Sequence, residues 1–224
     1  MDFTPTIAPE ILALRPDFRA LSILVKGAAN APSDVRSIDL LAAACRDMNA
    51  APWAEGHINA WREAYRGFGA KPQRTPCSAE ALRKRCERDG ALPPANAVVD
   101  LYNALSLRYA IPIGGEDAAS YQGSPRLVRA TGTEGFDTMS EGQPKREIVD
   151  AGEVVWRDDE SVTCRRWNWR QGTRTRITEA STSLWFVLER LDPMPLEALA
   201  EAGDALVEGL RRLNPGLISM TAML

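Results

Sequence analysis

The sequence contains a single histidine, His57, and that scarcity removes much of the chemistry a 224-residue chain could carry. Ser-His-Asp and Cys-His catalysis both need a positioned imidazole. His57 lies in an amphipathic stretch with no nucleophile beside it, the setting of a surface or satisfied core residue. Cysteine is sparse as well. Cys45, Cys77, Cys86 and Cys164 form no Cys-x-x-Cys pair and have no histidine nearby, so neither a zinc site nor a thioredoxin-like motif is indicated and no metal or cofactor is expected. All four read as reduced, mostly buried small hydrophobes. No apolar run approaches the roughly 20 residues of a membrane span. The N-terminus, with Asp2, Glu10, Arg15 and Asp17, lacks the basic start and unbroken apolar core of a secretory signal, so a cytoplasmic protein with no membrane partner is expected. A surplus of positive charge is also missing. The net charge of -3 argues against nonspecific coating of nucleic acid. No DNA partner is expected, and any RNA contact must come from a local patch.

What is present is an ordinary globular composition, 45% hydrophobic and 25% charged, in a chain long enough to bury one sizeable core. Leu21 to Val25 reads as a short buried strand. Helices are predicted over 34–48, over 55–68, from Ser78 to a stop at Gly90, and from Asn96 after Pro93 and Pro94. Short β-like runs follow at 127–130, 153–156, 162–167 and 184–188, and a last helix spans about 196–213. Helices early, strands late and a closing helix indicate an α+β fold.

Two segments carry polar chemistry. Asn96, Asp100 and Asn103 fall at i, i+4 and i+7 beside the apolar stripe Val98, Leu101, Tyr102 and Leu105, so one helix face presents two amides and a carboxylate. The alternative is that Asn96 caps the helix and Asp100 faces solvent near the positive end of its dipole. The segment from Trp156 to Arg176 interleaves arginines with Trp156, Trp167 and Trp169. Guanidinium groups fork onto phosphate or carboxylate, and indoles offer faces for stacking. Read as an extended strand, it puts Arg165, Trp167 and Trp169 on one side, with Arg166, Asn168 and Arg170 on the other as an anion clamp. The alternative is a hairpin whose tryptophans simply pack the core.

The run Asn96-Ala-Val-Val-Asp-Leu-Tyr-Asn103, followed by Pro112-Ile-Gly-Gly-Glu-Asp117, resembles the B-three/four (B3/B4) editing module of the phenylalanyl-tRNA synthetase beta chain. Leu127 to Ala130 with Glu134, Gly152 to Asp159, and Arg176 to Leu188 continue the likeness in the same order over about 75–190. The resemblance implies a three-layer β/β/α arrangement with N-terminal and C-terminal helices. It also implies one domain over 1–224: a strand and helices to 74, the motif-bearing core 75–190, and a closing helix region 191–224. The implied activity is that of a free-standing editing domain, which hydrolyses a wrongly attached amino acid from an aminoacyl-tRNA in trans. The implied partners are the tRNA acceptor end and a small amino-acid-like ligand. A complete synthetase is not indicated, since no glycine-rich phosphate loop is present. On this view Gly114, Gly115, Glu116 and Asp117 approach the ester, the glycines through backbone N–H groups. Asn96, Asp100, Asn103, Arg166, Asn168, Arg170 and Glu189 then bind substrate. Gly114 stands where the family often has a histidine, which leaves open a binding module that recognises tRNA or an amino acid without cleaving it.

Overall fold

The computed structural model describes residues 3–224. In chain order the elements are β1 (Thr6–Ile7), α1 (Pro9–Leu14), β2 (Arg19–Lys26), α2 (Val35–Asp47), α3 (Ala54–Gly67), α4 (Ser78–Asp89), α5 (Ala97–Tyr109) and β3 (Ile113–Asp117). A short 3-10 turn precedes β4 (Arg126–Arg129), β5 (Gly135–Ser140), β6 (Gln143–Ile148), β7 (Val154–Arg157), β8 (Val162–Arg165), β9 (Arg170–Gln171), β10 (Ser183–Arg190), α6 (Leu196–Leu213) and β11 (Ile218–Met223). The strands form two sheets, one of seven strands in the order β1-β4-β7-β8-β5-β6 with β9 on β8, and one of four in the order β11-β2-β10-β3.

The four-stranded sheet is the middle layer, and β10 shows why. Successive side chains of a strand point to opposite faces. Leu184, Phe186 and Leu188 join a core with Leu101 and Leu105 of α5 and Leu199 and Leu206 of α6. Trp185 and Val187 join a second core with Trp156 of the larger sheet and Trp61 and Tyr65 of α3. A strand covered on both faces needs a continuous apolar run, and Leu184 to Leu188 supplies it. Each fully buried side chain of this kind contributes about 1.5–3 kcal/mol. The result is the α+β, three-layer β/β/α architecture with flanking helices that the resemblance implied.

The predicted helices occur within a residue or two of their expected limits, and Gly90 ends α4 in the left-handed conformation with φ 74°. Several local expectations are corrected. The hairpin of β5 and β6, closed by Glu141 and Gly142, went unseen because β6 is almost wholly solvent-facing and shows no apolar alternation. The strand expected to reach Trp167 stops at Arg165. Cys45 and Cys86, expected as thiols, form a disulfide between α2 and α4 with Cα atoms 5.6 Å apart, while Cys77 and Cys164 remain free. Those two helices become neighbours only through packing on α5, which sequence spacing does not reveal. No helix among the described residues is long and apolar enough to cross a membrane.

Candidate functional site

A cavity of about 290 Å³ opens between the two sheets at the free edge of β3. Strand alternation builds one wall. In the β3–β10 ladder Glu116 lies opposite Trp185 and Gly114 opposite Val187, so these four share the inner face with Glu189 further along β10. Glu189 is four residues beyond Trp185, roughly 13 Å at about 3.3 Å per residue, which separates the two carboxylates along the cavity. Trp156, Cys164 and Gln171 of the larger sheet form the opposite wall, and Ser78, Tyr102 and Asn103 close it from α4 and α5.

The remaining wall is the turn between β8 and β9. Arg166 and Trp167 both have positive φ, 46° and 65°, a conformation that costs a bulky side chain about 1–3 kcal/mol and persists only where packing enforces it. Trp167 supplies that packing. Its ring is fully buried edge-on to Trp61 and Phe18, with centroids 5.3 and 4.9 Å away, and its backbone N–H donates to the Val154 carbonyl at 2.6 Å. The turn swings Asn168 inward. Its Oδ1 accepts from the Tyr65 hydroxyl at 2.9 Å, and its Nδ2 donates to Glu189 Oε2 at 2.8 Å. Trp156 Nε1 donates to Glu189 Oε1 at 2.9 Å, so Glu189 is a buried carboxylate held in one orientation.

Burial dominates the electrostatics. It pushes Glu116 up to about 8, against opposing hydrogen bonds from Gln171 and Thr163. Burial likewise lifts Glu189 to about 7, with Asn168 and Trp156 working against it. At neutral pH Glu116 is therefore largely a neutral carboxylic acid, able to donate a hydrogen bond, and Glu189 is near its midpoint. Glu116 Oε2, Ser78 Oγ and Trp167 Nε1 are buried without a hydrogen-bond partner among the described residues, and all three residues line this cavity. Buried polar groups are seldom left unsatisfied, so these three have hydrogen-bonding capacity to offer to water or to a ligand in the cavity. Thiolate chemistry is disfavoured, because burial drives the Cys164 thiol well above its usual range. His57 takes no part. It lies outside the cavity, its Nδ1 is 2.8 Å from the Ala110 carbonyl, its Nε2 accepts from Trp61 and from the Leu191 N–H, and burial lowers it to about 4.

Of the residues singled out in the sequence, Asn103, Gly114, Gly115, Glu116, Asn168 and Glu189 converge on the cavity. Others do not. Asn96 caps α5 through the Val99 N–H, and Asp100 is buried accepting from the Ser33 and Ser37 hydroxyls and the Ala95 N–H. Asp117 accepts from the Ala119 N–H and the Ser181 hydroxyl. The shared face expected for Arg166, Asn168 and Arg170 is broken by the turn. Asn168 points inward, Arg166 lines a neighbouring cleft, and Arg170 is exposed. The expected pair of glycine N–H donors is also split. The Glu189 N–H donates to the Pro112 carbonyl, which sets the phase of the ladder, so Gly114 bonds toward β10 and only Gly115 presents its backbone away from it. The Gly115 carbonyl accepts from Gln171 Nε2 at 2.6 Å.

Ser78, Gln171 and Trp185 were missed as lining residues. Nothing in their spacing links three distant segments, although Gln171 lies within the arginine-tryptophan segment. Gly115 is required for another reason, since a Cβ there would lie 2.8 Å from Tyr102 Cε1 and 2.9 Å from Phe186 Cε1. Gly115→Ala is expected to cost about 1–3 kcal/mol, read as a lower urea midpoint.

The model of the B3/4 domain family matches residues 60–202, well over half of the chain. This chain belongs to the B3/4 domain family. The resemblance in sequence and this match together make it a tRNA-synthetase-related domain. Among solved structures it is similar to an N-terminal fragment of the phenylalanyl-tRNA synthetase beta-subunit from Pyrococcus horikoshii. The identity is 12%, the TM-score is 0.49, and the match covers 100% of this chain and 54% of that one. The chain thus spans about half the length of that fragment. No curated protein matches it.

Proposed function

We propose that this B3/4 domain removes a wrongly attached amino acid from tRNA in trans, with the aminoacyl group held in the cavity between the sheets. The supporting observation is the convergence of buried polar atoms without a partner among the described residues, among them an oxygen of the neutral acid Glu116, on a cavity lined in part by Tyr102, Trp156, Trp167, Trp169 and Trp185. Its volume stands at the lower end of the range for small-molecule sites, roughly 300–1,000 Å³, and suits an amino-acid-sized group. In the reaction, water oxygen adds to the ester carbonyl carbon, the carbon–oxygen bond to the ribose breaks, and the proton lost by water ends on the ribose oxygen. The ester is already activated, so orientation and stabilisation of the oxyanion suffice. Protonated Glu116 and the Gly115 N–H donate to that oxyanion, and Glu189, fixed by Trp156 and Asn168, accepts from a donor of the aminoacyl group.

The test is loss of ester from a panel of correctly and incorrectly charged tRNAs. At least one mischarged member is expected to lose its amino acid faster than its correctly charged counterpart. Intact esters throughout would sink the proposal. Binding without ester loss would favour the second reading, a binding module, which the lack of an imidazole in the cavity supports.

A further inference from the structure

A second cleft, of about 380 Å³, lies beside the cavity, between the chain leaving α3 and the turn before β7. Lys71 and Arg74 line it on one side and Arg166 on the other. Lys71 and Arg74 are exposed and have no ion-pair partner among the described residues. That distinguishes them from Arg126, Arg165, Arg174 and Arg190, each of which holds a carboxylate. The carboxylates in the cleft leave its charge positive. Glu153 accepts from Arg165 Nε at 2.9 Å and Nη2 at 2.8 Å and from the Arg166 N–H at 3.0 Å, while the Arg166 guanidinium stands 3.6 Å off. Asp150, the other acid, is exposed and lies 3.8 Å from Arg165.

The cleft and the cavity meet at one aromatic ring. The Arg166 guanidinium lies over the Trp169 indole, 4.6 Å from its centroid, with Arg170 at 5.9 Å, and Trp169 lines the cavity. A ligand leaving the cavity past Trp169 therefore enters a patch of three cations in a chain whose net charge is -3. Clustered cations beside a stacking face are the chemistry of single-stranded RNA contact. We infer that this cleft takes the backbone phosphates next to the aminoacylated ribose, with Lys71, Arg74 and Arg166 as their ligands. The inference rests on the proposed aminoacyl cavity, and it assigns the RNA strand to one side of it.

Affinity for uncharged tRNA across a salt series tests it. The proteins compared are wild type, Lys71→Ala/Arg74→Ala, and a control, Arg36→Ala/Arg212→Ala, with the same charge change at two exposed positions outside the cleft. Thermal midpoints confirm that all three fold. The cleft variant is expected to bind at least tenfold more weakly. Its slope of log affinity against log salt should be shallower by about 0.7 for each phosphate that is no longer neutralised. The control should change less than about twofold. Unchanged affinity in the cleft variant, or an equal loss in the control, overturns the inference. Failure of the deacylase reading looks different: no charged tRNA loses its ester, while wild type still binds uncharged tRNA through Lys71 and Arg74.

Discussion

Glu116→Ala is expected to lower ester hydrolysis roughly 100- to 1,000-fold, the scale of losing one oxyanion donor, whereas Glu116→Gln, which keeps an N–H donor in the same place, retains most of the rate. The pH profile carries the same information. With Glu116 lifted to about 8 by burial, the donating form is lost as pH rises through that value, and the wild-type rate falls with it. The Gln variant has no such proton to lose, so its rate should stay level across that range. Stability follows the same group. The unfolded carboxyl ionises near its ordinary 4.5 while the folded one keeps its proton to about 8, so the folded state binds more protons between these values and its stability declines as pH rises through them. The Glu116 contribution is on the order of a few kcal/mol; Glu116→Gln lacks it and keeps only the decline that Glu189, lifted to about 7, produces, and urea titrations at pH 5 and pH 8 measure the difference.

Asp100→Ala is expected to destabilise the fold by about 3 kcal/mol, because it leaves the Ser33 and Ser37 hydroxyls and the Ala95 N–H without their acceptor. Asp100 ties the start of α2 to the start of α5, and α5 carries Tyr102 and Asn103 into the cavity. A shift in denaturation midpoint measures the loss. Asp100→Asn, which retains an acceptor oxygen, should be milder. A variant that kept full stability but failed to bind ligand would return Asp100 to the cavity wall.

The contrast between Asp100 and Asn103 shows how far the sequence could be followed. Helical spacing correctly put both on α5 near one face, yet residues three apart differ by about 60° around the axis, enough to send one side chain to α2 and the other into the cavity. Which neighbour waits at each angle is decided by packing. β10 was legible because a strand covered on both faces writes its burial as an unbroken run, Leu184 to Leu188. The turn after β8 was not. Left-handed backbone at Arg166 and Trp167 carries no Gly or Asn to announce it, and the aromatic cluster that enforces it comes from α3 and the segment around Phe18. The six cavity residues found from sequence came from family resemblance and local chemistry. Ser78, Gln171 and Trp185 join them only once two sheets and a helix are brought together.

The most direct test is the structure of the protein with a non-hydrolysable amide analogue of an aminoacyl-adenosine. The amino acid is expected between the sheets, its carbonyl oxygen within hydrogen-bond distance of Glu116 Oε2 and one of its own N–H or O–H groups donating to a Glu189 carboxylate oxygen. An analogue bound elsewhere, or seated with its carbonyl remote from Glu116, would contradict the assignment of the cavity.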